Sequence, residues 1–276
     1  MTSPVNGASR VYPIIGDPIR FVESPVWLTA TFASRGHNGV CVPLQVPEGT
    51  LDQAMAALAA MPNVDGLLVT MPHKQAAFAH CSTSTETARL LEVVSVIRRN
   101  PDGSWHGDML DGLAFVKAQR DHGATIEGRR ALLVGAGGAG SAIAIALLEV
   151  GVGELVVHDT DDARVGTLLG LLAGVGTGRA RAGDADPTGF DLVFNATPLG
   201  MDDGDPLPVD VTRLSPDAFV GDVISGHGTT AFIAAARQRG CGTATGGHMV
   251  EAVQDLMADF MLGASTGQVV PSSSST

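Results

Sequence analysis

The apolar run Ala131-Leu132-Leu133-Val134 leads into Gly135-Ala136-Gly137-Gly138-Ala139-Gly140, and a longer apolar run, 142–150, follows it directly. A short strand pattern that breaks into glycines and then becomes a helix is the context that a dinucleotide-binding loop requires. In such a loop the first glycine takes a tight turn, the second admits a pyrophosphate, and the last lets the helix pack closely on the strand. These roles are predicted for Gly135, Gly137 and Gly140, with Gly138 and Ala139 beside the phosphates at the helix N-terminus. The alternative is a glycine-rich turn that binds nothing.

The strand pattern that comes next, Glu154 to His158, ends at Asp159, nineteen residues after Gly140. An acidic side chain at that position can accept both ribose hydroxyls of an adenosine, and it repels a 2′-phosphate. The sequence therefore predicts NAD as the cofactor, with NADP the less favoured choice. The alternative is that Asp159 caps the helix that begins near Asp161.

The rest of the second half continues the alternation of strands and helices. Strand patterns cover 191–196, 219–224 and 243–245, and a helix pattern covers 250–262. This order predicts a doubly wound α/β fold, in which ligands lie outside the carboxyl ends of the parallel strands. The residues at these strand ends are therefore predicted to face the cofactor: Asn195, Thr197, Pro198 and Val223.

The first half alternates in the same way and predicts a second α/β domain with a parallel or mixed sheet. Strands are predicted at 11–15, 39–42 and 66–70, and helices at 26–35, 86–91 and 111–121. Thr50 and Gln53 fit a capping box for a helix that runs to Met61. Two strand patterns flank the turn Asn100-Pro101-Asp102-Gly103 and are predicted to pair as a hairpin.

Composition excludes several classes of function. The chain has 276 residues, 45% of them hydrophobic and only 17% charged, which indicates a globular protein with room for two domains. A net charge of −12 argues against nucleic acid or an anionic membrane surface as the main partner. Three widely separated cysteines give neither a disulfide framework nor a metal site, which fits a reducing cytoplasm. No run reaches the length of a membrane span, and the serine-rich tail, 268–276, is predicted to be disordered.

Six motifs occur in the order found in shikimate dehydrogenases, and the chain resembles that family over about residues 11 to 265. The motifs are Gly16-Asp17-Pro18-Ile19 with Ser24-Pro25, Val69-Thr70-Met71-Pro72-His73-Lys74, Gly107-Asp108-Met109-Leu110-Asp111-Gly112, the glycine loop, Asn195-Ala196-Thr197-Pro198-Leu199-Gly200-Met201, and Gly247 with Gln254. The resemblance implies a substrate-binding domain over 1–112, to which a helix at 248–267 returns, a nucleotide-binding domain over 113–247, and a cleft between the two. It also implies that Lys74 and Asp111 are the catalytic pair, that Ser24, Thr70, Ser95 and Gln254 bind the substrate, and that Gly247 lies at the cofactor.

The physical chemistry agrees with these roles. Oxidation of a secondary alcohol removes a hydride from carbon and a proton from oxygen, and a lysine near the hydroxyl can accept that proton. A neighbouring carboxylate would orient the ammonium group and balance its charge. The alternative is that Lys74 and Asp111 form an ordinary exposed ion pair. His73 and His106 lie next to these motifs and could touch the substrate, although the resemblance assigns them no role.

Several polar positions of the family differ here, and they bear on the substrate. Val22 replaces one of two serines, Leu68 replaces an asparagine, and Met109-Leu110 replaces Asn-Thr. A pocket with fewer hydrogen-bonding groups favours a less hydroxylated substrate. The sequence thus predicts an NAD-dependent oxidoreductase, monomeric or homodimeric, acting on shikimate, quinate or a related alicyclic hydroxy acid. The alternative is a sensor without catalysis on the same fold, although such a sensor has no need of both Lys74 and Asp111.

Overall fold

The computed structural model describes residues 5–20, 22–175, 179–226, 228–263 and the backbone of 269–271. The chain forms two compact units, of which unit 1 contains the described residues up to Leu110 together with those from Gln254 onward. Unit 2 contains Asp111–Val253.

The elements alternate along the chain. The strands are β1 Arg10–Gly16, β2 Gly39–Gln45, β3 Gly66–Val69, β4 Thr83–Thr85, β5 Val96–Arg99, β6 Trp105–Asp108, β7 Arg130–Val134, β8 Glu154–His158, β9 Arg179–Ala182, β10 Leu192–Asn195, β11 Phe219–Asp222, β12 Gly242–Ala244 and β13 Val269–Pro271. The helices are α1 Ser24–Ser34, α2 Leu51–Ala59, α3 Lys74–Phe78, α4 Glu86–Leu91, α5 Asp111–Asp121, α6 Gly138–Glu149, α7 Asp162–Leu172, α8 Ala231–Gln238 and α9 Gly246–Met261. None of the helices in the described ranges combines the length and the apolar character that a membrane crossing needs.

Unit 1 is built on a mixed sheet of order β13-β4-β6-β5-β3-β1-β2. Strand β1 runs parallel to β2 and β3, whereas β5 is antiparallel to both β3 and β6. The β5–β6 hairpin confirms the turn predicted at 100–103, because Arg99 pairs with Trp105 and Gly103 has a φ of +87°. The mixed sheet places the carboxyl ends of β1, β2 and β3 along one edge of unit 1.

Two local predictions in unit 1 differ from the structure. The hydroxyl of Thr50 donates to the carbonyl of Pro47 at 2.7 Å, so it caps no N–H of α2, and the predicted capping box is absent. A nearby carbonyl acceptor outside the helix competes successfully for this hydroxyl. In the predicted disordered tail, Val269–Pro271 form an antiparallel strand beside β4, while residues 268 and 272–276 lie outside the described ranges.

Unit 2 is a parallel sheet of order β12-β11-β10-β7-β8-β9. The order reverses between β7 and β10, which is the switch point where doubly wound sheets bind ligands. Helix α6 is almost entirely apolar because it is enclosed by the sheet and by α5. The two helices are in close contact, since a Cβ on Gly112 of α5 would lie 2.1 Å from the carbonyl oxygen of Ala142 of α6. The sequence did not predict β9, since its Arg-Ala-Arg-Ala sequence has no apolar run and it lies at the sheet edge.

Candidate functional site

The glycine loop between β7 and α6 has two positions that only glycine can occupy without displacement. Gly135 has a φ of +110°, and a Cβ there would lie 2.7 Å from the backbone of Ala196. A Cβ on Gly140 would lie 2.0 Å from the carbonyl oxygen of Gly135, so the first turn of α6 packs directly on the end of β7. The N-terminus of a buried helix is thereby held at the carboxyl edge of the sheet.

Gly137 and Gly138 serve a different purpose in the same loop. A Cβ at either position would meet no atom within 4 Å, so the space in front of their backbone is open. Gly137 is the extended N-cap residue of α6, and no side chain bonds the free N–H groups of the first turn. Unpaired N–H groups at the positive end of a helix dipole favour a phosphate.

A cavity of about 670 Å³ opens in front of this loop, and its lining comes entirely from unit 2. Its volume lies within the usual range for small-molecule and cofactor sites. The predicted cofactor residues in its wall are Gly135, Gly137, Gly138, Ala139, Asp159, Thr197, Pro198 and Val223. Thr160, Arg164 and Ile224 also line the cavity, although no motif in the sequence pointed to these three residues.

Asn195 supports this wall from behind. The residue is fully buried, and its amide donates to the carbonyl of Leu199 at 3.1 Å and to Asp222 Oδ1 at 3.0 Å. Its Oδ1 accepts from the N–H of Thr197 at 3.0 Å and from the hydroxyl of the same residue at 2.6 Å. Asn195 thus holds the 197–199 turn in place, although it was predicted to face the cofactor.

Asp222 is the second buried polar residue behind the wall. Its carboxylate accepts from the hydroxyl of Thr230 at 2.6 Å and from the N–H of Ile224 at 3.1 Å. Burial raises the pKa of this carboxyl group, and the hydrogen bonds oppose that shift only in part. A Cβ on Gly246 would lie 2.2 Å from the carbonyl oxygen of Ile224, so the start of α9 is packed tightly against the wall, and Gly247 follows directly.

Asp159 joins the end of β8 to the glycine loop. One oxygen accepts from the N–H of Ala136 at 2.7 Å, and the other accepts from the N–H of Asp161 at 3.0 Å. Burial alone would raise the pKa of this carboxyl group, but the two backbone hydrogen bonds and the charge of Arg164 outweigh it and lower the pKa. Both carboxylate oxygens therefore already have a backbone partner.

Asp161, and not Asp159, caps the helix that follows β8. Asp161 is the N-cap residue of α7 and accepts from the N–H groups of Ala163 at 2.9 Å and Arg164 at 3.4 Å. Arg164 also forms a 3.4 Å ion pair with Asp161, and 62% of its side chain is exposed. An exposed cation thus lines the same cavity as Asp159.

Thr70 and Lys74 follow the carboxyl end of β3 in unit 1. A Cβ on Gly16, the last residue of β1, would lie 2.3 Å from Thr70 Cγ2, so the ends of β1 and β3 are in close contact. Lys74 is half-buried and begins α3, where its carbonyl accepts from the N–H of Val94 at 3.0 Å. The two predicted residues therefore lie four positions apart on one rigid turn.

The other predicted residues begin helices or lie on them. Ser24 is the first residue of α1, Asp111 the first of α5, and Gln254 lies on α9, and all three are half-buried. Ser95 differs, because it is only 2% exposed and its hydroxyl accepts from the N–H of Leu110 at 3.0 Å. Leu68 is 1% exposed, so its side chain is enclosed in the protein interior.

His73 and His106 are both 3% exposed and have partners inside unit 1. His73 Nε2 lies 2.7 Å from the carbonyl oxygen of Val46. His106 Nδ1 lies 2.8 Å from the hydroxyl of Thr83, and its ring stacks on Phe260 with 5.7 Å between the centroids. Packing and one hydrogen bond inside unit 1 therefore explain the position of each imidazole ring.

The buried ring of His106 is expected to make the protein sensitive to acid. Burial lowers its pKa from 6.5 to about 4, and the charge of Arg98 adds to the shift. Between these two values the unfolded chain binds a proton that the folded chain does not, so stability falls as pH decreases through this range, by about 3 kcal/mol at most. Urea unfolding measured across the range should show a flatter pH dependence for His106→Asn. A pH dependence in His106→Asn as steep as that of the parent would refute the assignment of the acid sensitivity to His106.

Comparison with known proteins identifies the family. Residues 14–97 match the family model described as "Shikimate dehydrogenase substrate binding domain". The chain is 38% identical to the shikimate dehydrogenase (NADP(+)) of Rubrobacter xylanophilus, over 88% of this chain and 87% of the relative. It is 34% identical to the protein of the same name from Moorella thermoacetica, over 88% and 84% of the two chains.

A solved structure has the same fold. Shikimate 5-dehydrogenase from Listeria monocytogenes, determined with shikimate and NAD, aligns with a TM-score of 0.88 and 25% identity, covering 95% of this chain and 94% of that one.

The comparisons correct the predicted cofactor. The sequence analysis favoured NAD because of Asp159, whereas both curated relatives are named for NADP(+). In the structure Arg164 lines the cavity together with Asp159, and a guanidinium group there suits a 2′-phosphate. The sensor alternative gains no support, because these relatives are named as dehydrogenases. With 38% identity over most of its length, this chain belongs to the shikimate dehydrogenase family of oxidoreductases.

Proposed function

We propose that the protein catalyses reversible hydride transfer between NADP and a ring hydroxyl of shikimate or a closely related alicyclic hydroxy acid. The observation that carries the proposal is the cavity at the glycine loop, in a chain that retains Lys74 and Asp111 in the family's motifs. The names of the curated relatives support both the substrate and the cofactor.

The cofactor would be held by the residues of the cavity wall. The open backbone at Gly137 and Gly138 and the N-terminus of α6 suit the pyrophosphate. Thr197, Pro198 and Val223 would bound the nicotinamide side, and Asn195 holds the 197–199 turn from behind. Gly247, which is exposed near the start of α9, would lie at the cofactor. When bound, the cofactor supplies the hydride acceptor or donor, and the chain itself supplies orientation and the proton.

The proton would be handled by Lys74. Its amine accepts the proton of the substrate hydroxyl during oxidation and returns it during reduction. Asp111 would orient the ammonium group and offset its charge. Ser24, Thr70 and Gln254 would bind the carboxylate and the remaining hydroxyls, through two hydroxyl groups and one amide.

The preference for NADP leads to a prediction about Arg164. The parent should use NADP with at least a tenfold higher kcat/KM than NAD, and Arg164→Ala should lose most of that difference, because the guanidinium pairs with the 2′-phosphate. Arg213→Ala is the control, since Arg213 is also an exposed, ion-paired arginine of unit 2 but is not among the residues that line the cavity. Initial rates with both cofactors give the answer. A parent that prefers NAD, or an equal effect of both substitutions, would contradict the proposal.

The substrate can be tested in the same assay. Shikimate, quinate and an analogue that lacks one ring hydroxyl should be compared at saturating NADP, with the absorbance of the reduced nicotinamide as the signal. Turnover of shikimate supports the proposal, and absence of turnover with every hydroxy acid overturns it. If the analogue is used more efficiently than shikimate, the site prefers a less hydroxylated substrate, as the apolar replacements in the sequence predict.

The proposal also covers domain organisation, partners and location. The two domains would be 1–112 with 248–267, and 113–247. The small-molecule substrate would be the main partner, and the chain would act as a monomer or homodimer. A cytoplasmic location fits three buried cysteines, Cys41, Cys81 and Cys241, which are free thiols.

A further inference from the structure

The loop between β6 and α5 is buried, and it leads directly into Asp111, the residue with the proposed catalytic carboxylate. Strand β6 ends at Asp108 and α5 begins at Asp111, so only Met109 and Leu110 lie between them. Their side chains are 3% and 0% exposed. Since these side chains are apolar, the N–H groups of the loop depend on partners elsewhere in the protein.

The first of these N–H groups is held by Asp108. The N–H of Met109 donates to Asp108 Oδ1 at 2.7 Å, and the hydroxyl of Thr85 donates to the same oxygen at 2.5 Å. Thr85 is also the N-cap residue of α4, where its hydroxyl oxygen accepts from the N–H of Ala88. The beginning of the loop is thus tied to a neighbouring strand and helix.

The second N–H group is held by Ser95. The N–H of Leu110 donates to Ser95 Oγ at 3.0 Å. The backbone of Ser95 is itself held on both sides, because its N–H donates to the carbonyl of Asp108 at 2.8 Å and its carbonyl accepts from the N–H of Val69 at 2.8 Å. A hydroxyl on such a backbone has a nearly fixed position, and at 2% exposure it is enclosed by the protein.

We infer that Ser95 is a positioning residue, which sets the place of Asp111 through the N–H of Leu110 and does not itself bind the substrate. The N–H of Leu110 belongs to the Met109–Leu110 peptide, so the hydrogen bond fixes that peptide plane, one residue before the first turn of α5. Without it, that plane can rotate and carry the carboxylate away from its working position. A shift of about 1 Å in a reacting group is enough to slow a reaction severely. This inference rests on the proposed role of Asp111 in catalysis.

Ser84 offers a matched control. Like Ser95 it is a buried serine beside β6, with 0% exposure, but its hydroxyl has no hydrogen-bond partner among the residues that the structure describes. Ser84→Ala therefore removes a buried hydroxyl of the same unit without touching the loop. The kcat of Ser84→Ala therefore shows how much a general loss of packing in unit 1 slows turnover.

The test compares the steady-state kinetics of the parent, Ser95→Ala and Ser84→Ala at saturating NADP. Ser95→Ala should lower kcat roughly tenfold, corresponding to about 1.4 kcal/mol, with the KM for the hydroxy acid changed by less than about twofold. Ser84→Ala should retain the parental kcat. In an Asp111→Asn background Ser95→Ala should cause little further loss, because the two residues act in series.

Three results would overturn the inference. A raised KM with unchanged kcat in Ser95→Ala would make Ser95 a substrate ligand. An equal loss of kcat in both serine variants would make the effect one of packing. An undiminished loss of kcat from Ser95→Ala in the Asp111→Asn background would show that Ser95 does not act through Asp111.

Amide hydrogen exchange at Leu110 provides a readout that does not depend on activity. Exchange should be faster in Ser95→Ala than in the parent and Ser84→Ala, and unchanged exchange would also overturn the inference. A parent inactive with every hydroxy acid would defeat the proposed function, whereas the exchange result would still decide whether Ser95 holds the loop.

Discussion

Lys74→Ala is expected to lower kcat by roughly 100-fold or more, because proton transfer by a positioned side chain contributes at least that much. The affinity for NADP should change little, since Lys74 is not among the described residues that line the cavity at the glycine loop. The measurements are single-turnover rates with shikimate and NADP binding by fluorescence titration.

The chain offers an unusually simple control, because Lys74 and Lys117 are its only lysines. Lys117 lies on α5 in an exposed ion pair with Asp121, and Lys117→Ala should leave kcat at the parental value. Equal activity of Lys74→Ala and the parent would remove Lys74 from the mechanism.

Asp111→Asn extends the same test to the second member of the proposed pair. The substitution keeps the size of the side chain at the start of α5 but removes its charge, which should slow turnover while the fold is retained. Loss of an acidic residue from a first helical turn costs only about 0.3–1 kcal/mol of stability. A large fall in melting temperature with unchanged kcat would show that Asp111 stabilises helix α5 and takes no part in the reaction.

Gly140→Ala is expected to disrupt the cofactor site by a single methyl group. The added Cβ would lie 2.0 Å from the carbonyl oxygen of Gly135 and 2.8 Å from its carbonyl carbon, and because both atoms are backbone, no flexible side chain can move aside. Helix α6 must then shift away from β7, which should cost about 1–3 kcal/mol of stability and weaken NADP binding at least tenfold. Chemical denaturation and NADP titration measure the two effects.

A second glycine of unit 2 should respond in the opposite direction. Gly166 lies on the exposed face of α7, and a Cβ there would meet no atom within 4 Å. Gly166→Ala should therefore stabilise the protein by about 0.5–1 kcal/mol, since alanine loses less backbone entropy in a helix. If both substitutions had the same sign, close packing of α6 on β7 would not be the cause.

The sequence by itself was sufficient where a pattern is local. The β7–α6 unit was predicted because a buried strand, three spaced glycines and an apolar helix are adjacent in the chain. The helix at Asp111–Asp121 and the β5–β6 hairpin were predicted for the same reason, as their periodicity and turn residues lie within a few positions of one another. Family membership also came from the sequence, through six motifs in a fixed order, and the comparisons confirm it.

Tertiary structure determined everything that depended on a partner distant in the chain. Strands β4 and β9 have little apolar pattern, and they form because a neighbouring strand supplies hydrogen bonds. Thr50, which fits a capping box in the sequence, bonds a carbonyl instead. The carboxylate of Asp159 joins two loops, and the hydroxyl of Ser95 holds the N–H of Leu110 fifteen residues away. A side chain of a given type can accept from many donors, and only the folded chain brings one of those donors within hydrogen-bonding distance.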